Sequence, residues 1–435
     1  MKERLRKRIE VLRTESPDCD VPSQSGPGSK GTLISLEDAM ALVVSRVSSI
    51  ERRDTVPLAE SLGRRLASSV AARMDLPPFD QSAMDGYALA GSSQADVYAL
   101  FASKGTRAGG GSMQLETGQA ARIATGARMP PGADRVVLHE HAREHGDSLI
   151  LTDGPILAGA NVRRRGEDVH QGDIVLPRGE KIDPRKIAML AAQGCASVDV
   201  ISSPRIAVLS SGSELRQPGE PLGDSNVYDC NRPMLIALAR RAGAHVSDGG
   251  CYADDMQTLS REITHSSGHS DLVLISGGSS VGDADLTSAA LRHAGAQVEE
   301  LKIALKPGKP ALIATLGQTT ILGLPGNPVA AFASWFTLGR SVLARMFGLR
   351  NGLLQGRELT VINELHRRPS RAELVPARQV RTVLGIQLEF IGPAGSARLS
   401  PLSSADGFAL VESNRGVIAA GEIVTFLPFE DGEVL

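Results

Sequence analysis

The stretch DLVLISGGSSVGDAD, Asp271 to Asp285, carries the residue types most suited to chemistry. Backbone amides in a glycine-rich turn such as Ser276-Gly277-Gly278-Ser279-Ser280 suit anions, and carboxylates two residues apart, Asp283 and Asp285, suit a hard cation. A site for a metal-bound phosphate is the functional reading of that combination. A plain strand-to-helix turn with an acidic N-cap is the structural alternative. His139-Glu140-His141 with His145 invites a zinc reading, since His139 and His141 would share one face of a strand, but no fourth ligand is in register. Arg163-Arg164-Arg165 reads as a solvated or ion-paired edge.

The elements around the glycine-rich loop decide between these readings. Leu272–Ile275 is a continuous apolar run, the pattern of a strand buried on both faces. From Pro204 onward strands and helices alternate. Arg205–Leu209 precedes Ser210-Ser211-Gly212-Ser213-Glu214, and Tyr228 to Pro233 opens a helix running to Arg241. Ala244–Val246 precedes Asp254-Asp255 at the start of another helix. Gln297–Ile303 and Ile321–Leu324 complete the strands, and Leu324-Pro325-Gly326-Asn327-Pro328 leads into a helix over 329–347. Repeated βα units predict a parallel sheet with helices on both faces, and ligands bind outside the carboxyl ends of such strands. The glycine-rich and acidic loops all fall at those ends, which favours the site reading. Within this βα region no G-x-G-x-x-G or Walker A pattern occurs, which argues against a dinucleotide fold or P-loop NTPase.

The 435 residues are enough for about three domains. With 42% hydrophobic and 22% charged residues the composition is that of an ordinary soluble protein. A net charge of −2 and 3% aromatic residues argue against nucleic-acid binding. There is no membrane-length apolar run and no signal-peptide core, and the four cysteines form no C-x-x-C pair. A cytoplasmic location is the expectation. Residues 1–31 read as a basic disordered tail and a Ser/Pro/Gly linker. Removing residues 1–30 is therefore expected to leave melting temperature and turnover unchanged, and a clear drop in melting temperature would mean that the tail packs on the body.

Ser35-Leu36-Glu37-Asp38 reads as the cap and first turn of a helix through Val47. Arg53–Pro57 and Arg65–Val70 are extended candidates. Residues 75–153 form a β-rich insertion with strands at Ala120–Ala124, Arg135–His139 and Leu149–Thr152, and a helix starts at Pro184 with Gly194 past its end. Beyond Gly348, Val375–Val380, Ile386–Ile391, Phe408–Glu412 and Gly421–Leu427 predict a small β-barrel. Asp406-Gly407-Phe408-Ala409-Leu410 echoes Asp85-Gly86-Tyr87-Ala88-Leu89, and both fit a turn feeding a buried strand.

Many segments in order carry a resemblance: PPFDQSAMDGYA (77–88), ATGARMPPGADRVVLHE (124–140), RRRGEDV (163–169), GDIVLPRG (172–179), SSGSEL (210–215), YDCNR (228–232), DLVLISGGSSVGDAD (271–285), LKIALKPGKPALI (301–313) and LGLPGNPVAAF (322–332). Together they resemble the MoeA-type molybdopterin molybdenumtransferases, related to the E domain of gephyrin, over about residues 33–430. Ser213, Ser279, Leu286 and Gln81 depart from the residues common in that family.

The resemblance implies an α/β multidomain protein. Its parts are a discontinuous N-terminal domain (32–74 with 154–203), the inserted β-rich domain (75–153), a three-layer molybdopterin-binding domain with a parallel-type sheet (204–347) and a C-terminal β-barrel (348–435). It implies a homodimer, insertion of molybdate into adenylylated molybdopterin with release of AMP aided by Mg²⁺, and a molybdopterin adenylyltransferase as upstream partner. On that basis Asp254, Asp255, Asp283 and Asp285 become metal ligands, with Glu214 beside them. Lys302, Lys306 and Lys309 supply positive charge on the stiff Lys-Pro-Gly-Lys turn. Ser211, Gly212, Gly277, Gly278, Ser280, Gly282, Pro325, Asn327 and Pro328 line the cofactor loops. Asp85 and Thr125 would reach the other subunit's cleft. Adenylyltransferase-like activity and a catalytically lost gephyrin-like scaffold are the alternatives. Adenylylation from ATP without molybdate would mark the first, and failure to bind adenylylated molybdopterin the second.

Overall fold

The computed structural model describes residues 33–91, 94–101, 114–278, 286–349, 354–392 and 397–429. At its centre β1 (Arg205–Ser211), β2 (His245–Tyr252) and β3 (Leu272–Gly277) alternate with helices α1 (Asn231–Arg241), α2 (Met256–Ser267) and α3 (Leu286–His293). After them come β4 (Gln297–Lys302), β5 (Pro310–Leu316) and β6 (Thr319–Leu324), then α4 (Pro328–Ser334), which continues through one π turn into α5 (Arg340–Met346). The apolar runs are continuous because each strand feeds two cores. Ile206, Val208, Leu272 and Leu274 pack with Leu235 and Ala239 of α1 and Val329 of α4 on one face. Ala207, Leu209, Val273 and Ile275 pack with Leu259 and Ile263 of α2 and Leu291 of α3 on the other. Three layers result.

The strand order is β2-β1-β3-β6-β5-β4. β2, β1, β3 and β6 are parallel, whereas β5 is antiparallel to both β6 and β4. The sheet is therefore mixed at one edge, and the βα pattern did not reveal β5. Two reversals return β4 to the direction of β6. Lys302 thus ends at the same sheet edge as Ser211, Gly277 and Leu324.

The C-terminal strands β7 (Arg357–Thr360), β8 (Ala372–Thr382), β9 (Gly385–Phe390), β10 (Gly407–Val411) and β11 (Ile423–Pro428) run in the order β9-β8-β10-β11-β7. A bridge between Val361, just past β7, and Leu388 of β9 closes the barrel. Leu305–Lys306 adds to its wall, pairing Leu305 with Ala372 and Lys306 with Glu373. Phe332 of α4 and Phe336 of the π turn after it meet Phe408 and Phe429 of the barrel edge-on, with ring centroids as close as 4.7 Å, and dock the two domains.

Ser35 caps the helix Leu36–Ser45 through Asp38 N, and Ala39, Met40 and Val43 bury in the core shared with α5. Arg53–Pro57 then pairs with Ser197–Ile201, and Val70–Ala71 with Ile174–Leu176. Between those pieces, residues 81–151 hold a sheet of six strands. His139–His141 forms a 3-10 turn, not a strand, where the chain passes from Arg135–Leu138 to Ala142–His145, strands at opposite ends of the sheet order. The two histidines consequently part. His139 packs edge-on against Tyr87 with centroids 4.9 Å apart, while His141 pairs with Asp153. The arginine triplet is ion-paired: Arg163 with Glu167 and Asp168, Arg164 with Asp80, and Arg165 with Asp75. No helix among the described residues is long and apolar enough to cross a membrane.

Asp271 ties the N-terminal segment to the sheet. Arg52 donates to it twice, at 3.0 and 2.7 Å, and the backbone N and guanidinium of Arg205 donate at 2.8 and 3.0 Å. Burial opposes ionisation of this carboxyl, but the arginine hydrogen bonds outweigh it and hold the pKa down at about 2. A depressed folded pKa contributes stability that is present above the unfolded value of about 3.9 and is lost as pH falls through the folded value. Asp271→Asn is expected to cost about 2–3 kcal/mol at pH 7. The gap between the variant and the parent should close from about pH 4 to about pH 2 in chemical denaturation. A gap independent of pH would refute that assignment.

Candidate functional site

β1 and β3 leave the centre of the sheet on either side of a topological switch, because the chain goes from β1 out to β2 and returns to β3. Ser211 lies opposite Tyr252 and Gly277, and Ser276 opposite Leu324, so all four loops open at one edge. Gly277 has φ +99°, and a Cβ there would stand 2.0 Å from the Ser211 carbonyl oxygen. Its first requirement is therefore the close approach of β1, which precedes any need of a ligand. Gly278 also has positive φ, beside Thr287 of α3.

The acidic residues divide by what they touch. Asp254 accepts from Ser211 Oγ at 3.0 Å and from Ser213 N at 3.2 Å, and its own N donates to Ser213 Oγ at 3.0 Å. Serine at 213 thus closes the loop onto Asp254. The Glu214 carboxylate folds back over Gly212, within 2.9 Å of where a Cβ would sit. Asp255 caps α2, accepting from Thr258 N at 2.8 Å, and that backbone hydrogen bond lowers its pKa. Ser280, Gly282, Asp283 and Asp285 lie outside the described residues. Among the described residues no cluster of three or more His, Cys, Asp or Glu side chains could hold a metal ion. The described donors, Asp254 and Glu214, are hard oxygens. They fit a Mg²⁺ that keeps several waters and takes further oxygens from substrate phosphates.

One organiser escaped the sequence reading. Asn231 Nδ2 donates to Ser276 Oγ at 2.8 Å and to the Gly326 carbonyl at 2.6 Å, and Ser276 Oγ reaches the Pro325 carbonyl at 3.3 Å. This buried amide fixes the loop after β6 against the loop after β3. Its helix is held by Arg232, which is buried between Asp229 and Asp248. The only available signal was YDCNR itself, where a polar cluster opens an otherwise apolar helix. Asn327 precedes α4 and Pro328 occupies its first turn.

At the same edge the chain from Lys302 to Lys309 forms a loop closed by Ile303 N donating to the Lys309 carbonyl at 2.9 Å, with Gly308 packed on Ser334 of α4. The Lys302 side chain is exposed, and its carbonyl accepts from Ile34 N. Lys306 reaches Glu373 at 2.8 Å and lines a cleft of about 640 Å³ with His366, Arg367, Ser370 and Arg371 of the barrel. In the inserted domain, Asp85 Oδ1 accepts from Thr125 N at 2.7 Å and Thr125 Oγ1 at 2.9 Å. The backbone hydrogen bond leads in lowering the Asp85 pKa, so the carboxylate stays ionised. Asp406 in the echoed turn likewise accepts a backbone N–H, from Gln379.

Residues 34–194 match the family model of the MoeA N-terminal region (domain I and II). Residues 207–345 match that of a probable molybdopterin binding domain, and 359–429 that of the MoeA C-terminal region (domain IV). Fold and site together define a protein of the molybdopterin-handling class. The chain is 30% identical over 415 residues to the molybdopterin molybdenumtransferase of Haemophilus influenzae, covering 91% of this chain and 99% of that protein. It is 33% identical over 393 residues to molybdopterin molybdenumtransferase 2 of Mycobacterium tuberculosis, covering 87% and 96%. The crystal structure of the molybdopterin biosynthesis MoeA protein from Pyrococcus horikoshii aligns with 92% of this chain and 100% of that one, at a TM-score of 0.75 and 26% identity. The chain belongs to the molybdopterin molybdenumtransferase family, enzymes of molybdenum cofactor biosynthesis.

Proposed function

We propose that the chain inserts molybdate into adenylylated molybdopterin with Mg²⁺-dependent release of AMP. The observation that carries this is that the Ser211, Gly277 and Pro325 loops, the carboxylates Asp254 and Glu214, and the lysine turn all open at one edge of the sheet. Backbone amides and Ser211 suit the pterin phosphates, and Lys306 suits the molybdate oxyanion. Asp254 and Glu214, with Asp283 and Asp285, would hold Mg²⁺. When bound, that ion supplies neutralisation of the charge left on departing AMP. Transfer of molybdenum to the dithiolene sulfurs is chemistry of the ligand, and the chain's part is to position both substrates.

A homodimer in the cytoplasm, fed by a molybdopterin adenylyltransferase, completes the proposal, with the four domains divided as the resemblance implies. Each cleft would take Asp85 and Thr125 from the opposite subunit. Their pairing in a domain separate from the sheet edge supports that arrangement. Chelation of divalent ions should stop AMP release and added Mg²⁺ should restore it. Consumption of ATP without molybdate would point instead to the adenylyltransferase reaction. At molybdate concentrations where each variant alone is nearly inactive, mixing Asp85→Asn and Lys306→Ala homodimers should restore up to about a quarter of parental activity, because half the dimers are mixed and one of their two clefts is intact. Mixtures that exchange subunits and stay inactive would place each cleft within one chain.

A further inference from the structure

We infer that Glu373 is a positioning residue for the molybdate-insertion reaction, holding the Lys306 ammonium in the cleft that this lysine lines with the barrel. The inference rests on the proposal that Lys306 faces an anionic substrate. Glu373, the second residue of β8, is 2% exposed, a place where a carboxylate needs partners. Its two oxygens face different cations: Oε2 takes Arg367 Nε at 2.7 Å and Oε1 takes Lys306 Nζ at 2.8 Å.

The two cations are not equivalent. Arg367 has a 4% exposed side chain, and its remaining donors go to the carbonyls of Glu412, Arg415 and Arg371. It is built into the barrel and fixes Glu373. The Lys306 side chain is 42% exposed and lines the cleft. An ammonium has three donors, so one held by Glu373 at 2.8 Å leaves others for an oxyanion.

Backbone contacts make the same connection. Lys306 pairs with Glu373 and Leu305 with Ala372, and the Arg371 guanidinium donates to the Leu305 carbonyl at 3.0 Å. A free lysine stem would scatter its head group over many rotamers. The buried carboxylate selects one of them, so the barrel sets where the positive charge stands.

The test is a molybdate titration of AMP release by the full chain carrying Glu373→Gln or Glu373→Asp, alone and combined with Lys306→Ala. Glu373→Gln should raise the half-saturating molybdate concentration about tenfold, the effect of losing one charge-assisted hydrogen bond. Maximal rate should change far less, and Glu373→Asp, which keeps the charge, should recover part of the loss. In the Lys306→Ala background Glu373→Gln should add less than about twofold, since its effect passes through that lysine. Should Glu373→Gln fail to fold, the Glu373→Asp titration and its cycle with Lys306→Ala give the same decision.

Unchanged molybdate dependence in folded Glu373 variants, beside a shifted Lys306→Ala, would overturn the positioning role. So would equal losses with and without Lys306. If Lys306→Ala itself leaves both molybdate dependence and binding of the adenylylated ligand unaltered, the underlying proposal for Lys306 fails instead.

Discussion

Lys306→Ala is expected to bind adenylylated molybdopterin within about threefold of the parent while needing about a hundredfold more molybdate for the same rate of AMP release. The expectation comes from size and placement. A tetrahedral oxyanion is small enough to sit against one ammonium beside a glycine turn, and Lys306 is held at the cleft wall by Glu373. On the proposed reading the phosphates would find other partners, among them Ser211 and the glycine-rich segment that follows β3. If Lys306 holds phosphate instead, affinity for the adenylylated ligand should fall and the molybdate dependence should stay in place. Equilibrium binding beside a molybdate titration separates these outcomes, and a variant unaltered in both would put Lys306 on a solvated surface.

The carboxylates should give the other large effect. Asp283→Ala and Asp285→Ala should each lower Mg²⁺-dependent AMP release about a hundredfold or more, with circular dichroism and melting near the parent. Asp254→Ala should match them in rate but also loosen the Ser211–Ser213 loop, whose hydroxyl and amide it accepts from. Asp255→Ala should differ in kind, because that carboxylate caps α2. It should lower the melting temperature slightly and cost little activity. Turnover within about threefold of the parent for both Asp283 and Asp285 variants would reduce that pair to turn residues.

What could be read from the chain follows from how local each signal was. Leu272–Ile275 announced itself because a strand between two helical layers is apolar on both faces, and the glycine loop after it marked the edge where ligands bind. Ser35 and Pro184 gave helix starts that the structure keeps, since a helix start depends on three or four neighbouring residues. β5 was hidden. It opens on Pro310 directly after the charged turn and merges with β6 across a short Gly317 turn, so no periodicity separates the two strands.

His139 and His141 were misplaced for the opposite reason. An alternating pattern continued on paper where the chain actually tightens into a 3-10 turn. Asn231 and Glu373 carried no usable local signal. A single amide at a helix start, or one glutamate in a barrel strand, gains meaning only when folding brings Ser276 and Gly326, or Lys306 and Arg367, to it. Asp85 and Thr125, 40 residues apart, came from the family resemblance, and the structure puts them in direct contact.

The central claim is that molybdenum enters adenylylated molybdopterin as AMP leaves. Its most direct measurement is a single incubation of the purified chain with the adenylylated ligand, Mg²⁺ and molybdate, in which AMP and dithiolene-bound molybdenum are quantified together. The two should rise in step, one AMP for each molybdenum, and both should stay at background when molybdate is omitted. AMP released at the same rate without molybdate, or molybdenum bound with no AMP released, would contradict it.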